Sequence, residues 1–183
     1  MNCYLCKKPL QYFFTKNSYR LYRCSSCGLV ETKLGVPYKQ FVRKFYDRGY
    51  FLGDNGAGAY KNYGKDKPYI TANMRSVLSH IRLLKKKGTL LDVGSAYGYF
   101  VELALHNGFD AYGLDPSSHA VSKAPREVRN RIQEHPVSEA SYKKKSCDVI
   151  SMLDVFEHLG NPISDLKKLR SFLKDDGIIV IAT

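Results

Sequence analysis

The chain has 183 residues, of which 44% are hydrophobic and 25% are charged. This composition is ordinary for a globular protein and excludes a chain that is disordered throughout. The length allows one full domain with its own core beside a small module. No apolar run reaches the roughly 18 residues of a membrane span, and the N-terminus lacks the pattern of a signal peptide, so we expect a cytoplasmic protein without membrane association.

The positive charge is concentrated in the N-terminal third of the chain. The formal net charge is +12, and residues 1–53 hold ten lysines and arginines against two acidic residues. A basic module attracts anions such as nucleic acid, sugar nucleotides or a membrane surface. A basic surface that only favours solubility has the same composition, so charge alone leaves the partner open.

Four of the five cysteines form two pairs with the spacing of a zinc site. Cys3 and Cys6 form one CxxC turn, and Cys24 and Cys27 form the other. Zinc binds four thiolates in a tetrahedron, and each CxxC turn delivers two of them from one bend. Disulfides would need an oxidising compartment, and a redox CxxC would need a thioredoxin-like strand–helix context. We therefore predict a structural zinc ribbon over residues 1–35.

The stretch between the two cysteine pairs is rich in aromatic residues. Residues 10–23 predict a short hairpin with its turn near residues 16–18. So small a module cannot bury enough surface alone, and the metal would supply the missing folding free energy. The fifth cysteine, Cys147, begins an apolar run and is predicted to be a buried core thiol.

Residues 36–69 form a connecting segment that is rich in tyrosine, phenylalanine and glycine. A short helix is predicted over residues 36–46, and irregular structure over residues 49–67. The second prediction rests on five glycines: Gly49, Gly53, Gly56, Gly58 and Gly64. Tyrosines on such a segment suit a lid over a ligand. The alternative is that they pack the small module onto the larger domain.

From residue 70 onward, predicted strands and helices alternate. Apolar residues at helical spacing predict an amphipathic helix over residues 69–86. Five strands are predicted after it, at residues 89–94, 111–115, 131–134, 148–153 and 178–181, and three helices lie between them, at residues 97–107, 117–123 and 163–173. This alternation predicts an α/β domain over residues 70–183, with a doubly wound parallel sheet.

Small and acidic residues follow the first two strands, at the sheet edge where ligands bind in this architecture. Residues 92–98 read Asp-Val-Gly-Ser-Ala-Tyr-Gly and lead directly into a helix, and Asp115 lies at the tip of the next strand. A carboxylate there can accept hydrogen bonds from both hydroxyls of a ribose. A dinucleotide fingerprint would have glycine at the positions of Ala96 and Tyr99, so a ribose ligand without a pyrophosphate fits better than NAD or FAD.

Four segments, in this order, resemble motifs of the class I S-adenosylmethionine-dependent methyltransferases: residues 90–100, 112–117, 148–162 and 173–179. The resemblance implies a Rossmann-like fold and S-adenosylmethionine as cofactor. It implies these cofactor-binding residues: Asp92, Gly94, Ser95, Ala96, Gly98, Asp115, Pro116, Leu153 and Asp154. In that assignment the loop after the first strand lines the methionine end, Asp115 holds the ribose, Pro116 lies beside the adenine, and Leu153 and Asp154 pass near the sulfur. Family members usually have glycine at the position of Ala96.

Three further features resemble a bacterial subgroup of zinc-ribbon methyltransferases that includes sugar C-methyltransferases. They are the cysteine ribbon, the segment Tyr46-Asp47-x-x-Tyr50-Phe51 and the Glu157-His158 pair. The resemblance implies methyl transfer to a small-molecule acceptor, a sugar nucleotide or related metabolite, whose anionic diphosphate suits the basic module. The alternatives are an RNA methyltransferase, with RNA as partner, and a non-catalytic binding module.

Glu157 and His158 are the candidate catalytic residues. An unperturbed imidazole titrates near neutral pH, so His158 is the candidate general base, with Glu157 orienting it. On a helix, Asp154 would share one face with both, and this triplet resembles the positions that bind a divalent ion in ubiquinone-pathway O-methyltransferases. The third interpretation is that the pair only caps a short helix.

The family's sheet normally continues for two strands beyond the fifth, whereas this sequence stops at Thr183. We therefore expect a truncated domain whose sheet is incomplete on its C-terminal side. Residues 178–181 would form an apolar edge that is open to pairing with another chain. The expected activity of these 183 residues alone is weak or absent.

Overall fold

The computed structural model describes residues 1–53 and 61–183. The chain divides into two compact units, Met1–Val42 and Arg43–Thr183. Residues 54–60 of the predicted irregular segment, which include Gly56, Gly58 and Tyr60, lie outside the described residues.

The first unit contains a three-stranded antiparallel sheet in the order β1-β2-β3. Its strands are β1 (Leu10–Lys16), β2 (Tyr19–Cys24) and β3 (Val30–Lys33). The predicted hairpin is confirmed, and its two turn residues, Asn17 and Ser18, have φ angles of 48° and 65°. Two left-handed residues form the tight turn whose twist matches that of the flanking strands. The sequence analysis did not predict β3.

Three helices follow: α1 (Tyr38–Phe45), α2 (Arg48–Leu52) and α3 (Lys67–Leu84). The predicted irregular structure is wrong where α2 lies. Asp47 caps the N-terminus of this helix: its carboxylate accepts hydrogen bonds from the backbone N–H groups of Gly49 and Tyr50 at 2.8 and 3.3 Å. It ends at Gly53, which is left-handed with φ 86°. These two caps enclose a helix of about one and a half turns.

The second unit holds a five-stranded parallel sheet, which confirms the predicted α/β architecture. Its strands are β4 (Gly88–Val93), β5 (Phe109–Leu114), β6 (Ile132–Gln133), β7 (Cys147–Leu153) and β8 (Leu173–Ala182), in the order β6-β5-β4-β7-β8. Its remaining helices are α4 (Tyr99–His106), α5 (Ser118–Lys123), α6 (Arg126–Arg129) and α7 (Pro162–Phe172), with 3₁₀ turns at Val137–Glu139 and Phe156–His158.

Both faces of this sheet are covered by helices. Successive residues of each strand point to opposite faces, so neighbouring residues belong to different core clusters. Leu90 of β4 lies in a core cluster with Ile81 of α3 and Phe100 of α4. Leu91, the next residue, lies in a second cluster with Leu169 of α7. This doubly covered sheet places the carboxyl ends of β4, β5 and β7 side by side.

The last strand, β8, departs from the prediction at its start. It begins at Leu173, directly after α7 and five residues before the predicted start of the strand at residue 178. The ladder is irregular there, since Cys147 pairs with Leu173 but Val149 pairs with Ile178. Within the described sheet β8 pairs only with β7, and Ile181 is 41% exposed.

Among the described residues, no helix is both long and apolar enough to cross a membrane. Cys147 is buried, as predicted, with a relative exposure of 1%.

Candidate functional site

The loop after β4 bends through three residues with left-handed backbone. Gly94, Ala96 and Gly98 have φ angles of 74°, 47° and 73°. A Cβ atom at position 94 would lie 2.2 Å from the Val155 side chain, and one at position 98 would lie 2.4 Å from that of Val128. Both positions therefore require glycine for space as well as for φ, whereas Ala96 carries a methyl group at a strained angle.

Asp115 holds this loop from the end of β5. One carboxylate oxygen accepts a hydrogen bond from the Ala96 backbone N–H at 2.8 Å, and the other accepts one from the Ser117 N–H at 2.8 Å. Each carboxylate oxygen can accept a second hydrogen bond. The carboxylate thus retains acceptor capacity while two bonds fix its orientation.

Asp92 and Asp115 are both buried, at 3% and 6% exposure. Burial raises the pKa of Asp92 to about 7, against a hydrogen bond from the Ser151 hydroxyl at 2.7 Å, and the charge of Asp115 adds to the rise. Burial also raises the pKa of Asp115 to about 6, against its two backbone hydrogen bonds. Desolvation dominates at both groups.

Two buried polar atoms near this loop, Ser95 Oγ and His119 Nε2, find no hydrogen-bond partner among the described residues. The Ser95 side chain lies against Gly113 of β5, where a Cβ would come within 2.6 Å of the hydroxyl oxygen. Buried polar atoms are normally paired in a folded protein. Together with the Asp115 carboxylate, these atoms fit a ligand that carries hydroxyl and amino groups, as a ribonucleoside does.

Tyr46 contacts residues that follow two different strands of the parallel sheet. Its backbone carbonyl accepts a hydrogen bond at 2.7 Å from the hydroxyl of Ser117, which follows β5. Its ring lies edge-on to the ring of His158, which follows β7, with centroids 6.0 Å apart. Because β4 lies between β5 and β7 in the sheet, Tyr46 links the residues that follow its two neighbouring strands.

Aromatic rings continue from Tyr46 along the connecting segment. Tyr50 contacts Tyr46 with ring centroids 4.9 Å apart, and Phe51 contacts Tyr97 of the β4 loop at 5.2 Å. Phe51 also lies 5.9 Å from the His119 ring. Burial, followed by the nearby charge of Lys123, lowers the pKa of His119. These contacts pack the segment around residues 46–51 against the candidate site.

The residues after β7 form a 3₁₀ turn and not the α-helix that would place Asp154, Glu157 and His158 on one face. Asp154 precedes the 3₁₀ turn Phe156–His158 and has a left-handed backbone with φ 55°, so it does not share a helical face with Glu157 and His158. Asp154, Glu157 and His158 are all exposed. Among the described residues, the only cluster of metal-ligating side chains is that of the four paired cysteines. The prediction of one shared helical face is therefore wrong, and the geometry does not favour a second metal there.

The other predicted residues lie at the carboxyl ends of the strands. Leu153 is the half-buried last residue of β7, and Pro116 is half-buried between Asp115 and Ser117. The backbone N–H of Asp154 donates to the Ala182 carbonyl at 2.8 Å, which anchors the β7 exit to β8. The structure thus brings the predicted cofactor residues to one edge of the sheet.

The four paired cysteines converge in the first unit. Their sulfur atoms all lie within 4.8 Å of one another, and three of the separations are Cys3–Cys27 3.6 Å, Cys6–Cys24 3.4 Å and Cys6–Cys27 3.6 Å. A tetrahedron with Zn–S bonds of about 2.3 Å has edges of roughly 3.8 Å. A disulfide would need about 2.0 Å, so the arrangement suits four thiolates around one ion.

The two CxxC turns have the same hydrogen-bond pattern. The carbonyls of Cys3 and Cys24 accept from the N–H groups of Lys7 and Gly28, at 2.9 and 3.0 Å. Lys7 and Gly28 are both left-handed, with φ angles of 64° and 76°. The N–H of Cys27 stabilises the Cys24 thiolate and lowers the pKa of that thiol.

Comparison with known proteins gives two partial matches among curated proteins. A glycine/sarcosine N-methyltransferase of Parasynechococcus marenigrum (strain WH8102) is 32% identical over 55% of this chain and 40% of its own length. A ubiquinone biosynthesis O-methyltransferase of Glaesserella parasuis serovar 5 (strain SH0165) is 26% identical over 51% of this chain and 44% of its own length. The chain therefore spans less than half the length of these relatives.

Solved structures share the fold. Geranyl diphosphate C-methyltransferase from Streptomyces coelicolor A3(2), in complex with Mg²⁺, geranyl diphosphate and S-adenosyl-L-homocysteine, superposes with a TM-score of 0.58. The match has 15% identity and covers 81% of this chain and 65% of that chain. A family model described as a methyltransferase domain matches residues 67–183. Since this match covers more than half of the chain and includes the whole parallel sheet, the chain belongs to the methyltransferase domain family.

Proposed function

We propose that the whole protein transfers a methyl group from S-adenosylmethionine to a small-molecule acceptor. The observation that carries this proposal is the carboxylate of Asp115 at the end of β5, hydrogen-bonded to the left-handed loop that leaves β4. A nucleoside cofactor at this edge of a parallel sheet needs a carboxylate that accepts hydrogen bonds from its hydroxyl groups. It also needs a loop whose backbone it can approach closely. The family match supports the same conclusion.

In this proposal Asp115 binds the ribose hydroxyls and Pro116 lies beside the adenine. The loop residues Gly94, Ser95, Ala96 and Gly98 bind the methionine end, with Asp92 behind them in β4. Leu153 and Asp154 line the side of the site that follows β7. When bound, the cofactor supplies an activated methyl group, and the protein's part is to align the acceptor with it and exclude water.

His158 is the proposed general base, with Glu157 as its neighbour in the 3₁₀ turn. Its ring is exposed and lies beside Tyr46, at the exit of β7 next to the β4 loop. This position lets the imidazole take a proton from an acceptor held over the loop. His158→Gln should lower turnover about 100-fold and change the affinity for S-adenosylhomocysteine less than twofold. His80→Gln in α3 is the control, and equal turnover of both variants would contradict the role of His158.

The proposed acceptor is a sugar nucleotide or a related anionic metabolite. The basic N-terminal third supports an anionic acceptor, and the names of the curated relatives are those of small-molecule methyltransferases. The test incubates the whole protein with methyl-labelled cofactor and a panel of nucleoside diphosphate sugars, with total RNA as a parallel sample. We expect label in at least one sugar nucleotide, and label in RNA alone would overturn the small-molecule assignment.

We further propose that residues 1–35 hold one structural zinc ion through Cys3, Cys6, Cys24 and Cys27. The convergence of the four sulfur atoms supports this assignment. Four thiolates complete the tetrahedron and leave no position for substrate. Residues 36–69 would cover the cofactor, as the Tyr46 contacts suggest, and residues 70–183 would bind it.

A further inference from the structure

One face of the three-stranded sheet in Met1–Val42 presents aromatic and basic side chains together. Residues 19, 21 and 23 of β2 alternate and so share this face. Their cross-strand partners Lys16, Phe14 and Val30 lie on it as well. Six residues define what we call the aromatic face: Phe13, Phe14, Lys16, Tyr19, Arg23 and Val30.

Large apolar side chains are exposed on the aromatic face. Phe13 is 46% exposed, Phe14 39%, Tyr19 40% and Val30 41%. The rings of Phe13 and Phe14 contact each other with centroids 4.9 Å apart. The guanidinium carbon of Arg23 lies 5.5 Å from the centroid of the Phe13 ring. A contiguous exposed patch of this kind is characteristic of an interaction surface.

The unit that carries the aromatic face has a positive formal charge. Residues 1–42 contain seven lysines and arginines and one acidic residue, Glu31. Glu31 pairs with Tyr22, whose side chain points to the opposite face, and its carboxylate accepts a hydrogen bond from the Tyr4 N–H at 3.0 Å. Even with four thiolates around a zinc ion, which together contribute about −2, the unit keeps a positive charge.

We propose that the aromatic face binds single-stranded nucleic acid without sequence preference. Unstacked bases can lie against Phe13, Phe14 and Tyr19, while Lys16 and Arg23 contact the phosphates between them. A duplex keeps its bases stacked internally and offers no free base faces to such rings. This proposal goes beyond the proposed methyl transfer and does not depend on it, because the aromatic face lies wholly within Met1–Val42.

The test uses the full zinc-loaded chain and fluorescence anisotropy with labelled oligonucleotides of about 12 nucleotides, a length that spans a typical single-strand site. The probes are an oligouridylate RNA, an oligothymidylate DNA and a duplex of equal length. We expect both single strands to bind more tightly than the duplex. Raising the salt from about 50 to 200 mM should weaken single-strand binding roughly tenfold.

Two variants on the aromatic face have matched partners on the opposite face of the same sheet. Phe13→Ala should weaken single-strand binding about tenfold, whereas Tyr12→Ala, at a residue 60% exposed on the other face, should not. Arg23→Gln should lower the salt dependence of the single-strand affinity by the amount that corresponds to the loss of about one phosphate contact. Arg20→Gln, on the same strand β2, should leave it unchanged. A retained zinc content in each variant shows that the sheet is intact.

RNA and DNA strands that bind alike support the proposal, because base stacking and phosphate contacts do not distinguish the two, and binding of RNA alone would contradict it. Equal losses in Phe13→Ala and Tyr12→Ala would overturn it, because binding would then not depend on which face of the sheet carries the ring. Duplex binding as tight as single-strand binding would also overturn it. If the protein binds no single strand but binds anionic lipid vesicles or self-associates, the proposal is also overturned.

Discussion

At the scale of single residues, Ala96 is the most informative position in the candidate site. Its N–H donates to Asp115 while its φ of 47° lies in the left-handed region. An L-residue with a side chain pays about 1–2 kcal/mol in that region. The methyl group therefore adds strain at a loop whose backbone has to approach the ligand closely.

Ala96→Gly should raise the free energy of unfolding by up to about 1 kcal/mol, because relief of the strain outweighs the extra chain entropy of glycine. It should also tighten the binding of S-adenosylhomocysteine, since the ligand can come nearer the backbone. Chemical denaturation and calorimetry measure the two effects. Gly98→Ala is the opposing control, because its Cβ would lie 2.4 Å from the Val128 side chain; it should destabilise the protein, and a stable Gly98→Ala variant would contradict the loop geometry.

The two buried carboxylates give a second residue-scale prediction. The folded-state pKa values of Asp92 and Asp115, about 7 and about 6, lie above the ordinary value. The folded protein therefore holds these protons more tightly than the unfolded chain. Their contribution to stability is complete at low pH and is lost as the pH rises through about 6 to 7.

The unfolding free energy of the wild type minus that of Asp92→Asn should consequently fall between pH 5 and about 8. Denaturant titrations at several pH values measure this difference. His119, whose pKa is lowered, acts in the opposite direction in both proteins and cancels in the subtraction. A difference that is constant over this range would show that Asp92 is not a buried carboxyl group of raised pKa.

At the scale of structural elements, the two cysteine turns repeat one backbone design with different residues. Lys7 and Gly28 occupy the same left-handed position after Cys6 and Cys27. A Cβ at Gly28 would meet no atom within 4 Å. Any effect of a side chain at position 28 is therefore one of backbone strain alone.

Gly28→Ala should destabilise the cysteine ribbon by about 1 kcal/mol, and Lys7→Gly should stabilise it slightly. Competition with a zinc-binding dye measures the change as a weaker or tighter hold on the metal. Identical metal affinity in the wild type and both variants would contradict the shared left-handed geometry.

The elements that the sequence predicted well carry a strong local signal. The hairpin has aromatic strands around a turn, β4 and β7 are short apolar runs, and α3 shows apolar residues at helical spacing. The five-residue α2 depends instead on its caps, Asp47 and Gly53, and such short helices have little periodicity to detect. The early start of β8 depends on pairing between Leu173 and Cys147, a contact that residue pattern cannot reveal.

The candidate site divides in the same way. Asp115 and the β4 loop could be placed from sequence because the carboxyl ends of neighbouring parallel strands meet at one edge. The hydrogen bond from Ser117 to Tyr46 joins residues 71 positions apart, and no sequence pattern around either residue indicates this contact. The shared face that an α-helix would give to Asp154, Glu157 and His158 is absent, because Asp154 has a left-handed backbone and only a 3₁₀ turn follows it.

At the scale of the whole molecule, the two compact units predict separable responses to metal removal. If zinc supplies the folding free energy of the ribbon, chelation should unfold the sheet of Met1–Val42 and leave S-adenosylhomocysteine binding in Arg43–Thr183 within about twofold of its initial affinity. Circular dichroism and calorimetry before and after chelation measure both effects. Cys24→Ser should lose the metal, whereas Cys147→Ala should keep one zinc per chain. A ribbon that stays folded without metal would contradict the structural role of zinc.

The proposed cofactor site lies at the carboxyl edge of the parallel sheet, where the carboxylate that follows β5 would hold a nucleoside cofactor over the β4 loop. Calorimetry with S-adenosylhomocysteine tests it directly on the wild type, on Asp115→Asn and on Asp110→Asn, an exposed position near the other end of β5. We expect one binding site in the wild type and in Asp110→Asn. Affinity should be about 10- to 100-fold weaker in Asp115→Asn, because a charged hydrogen-bond acceptor is lost. Equal affinity in Asp115→Asn and the wild type, with both proteins folded, would contradict the claim.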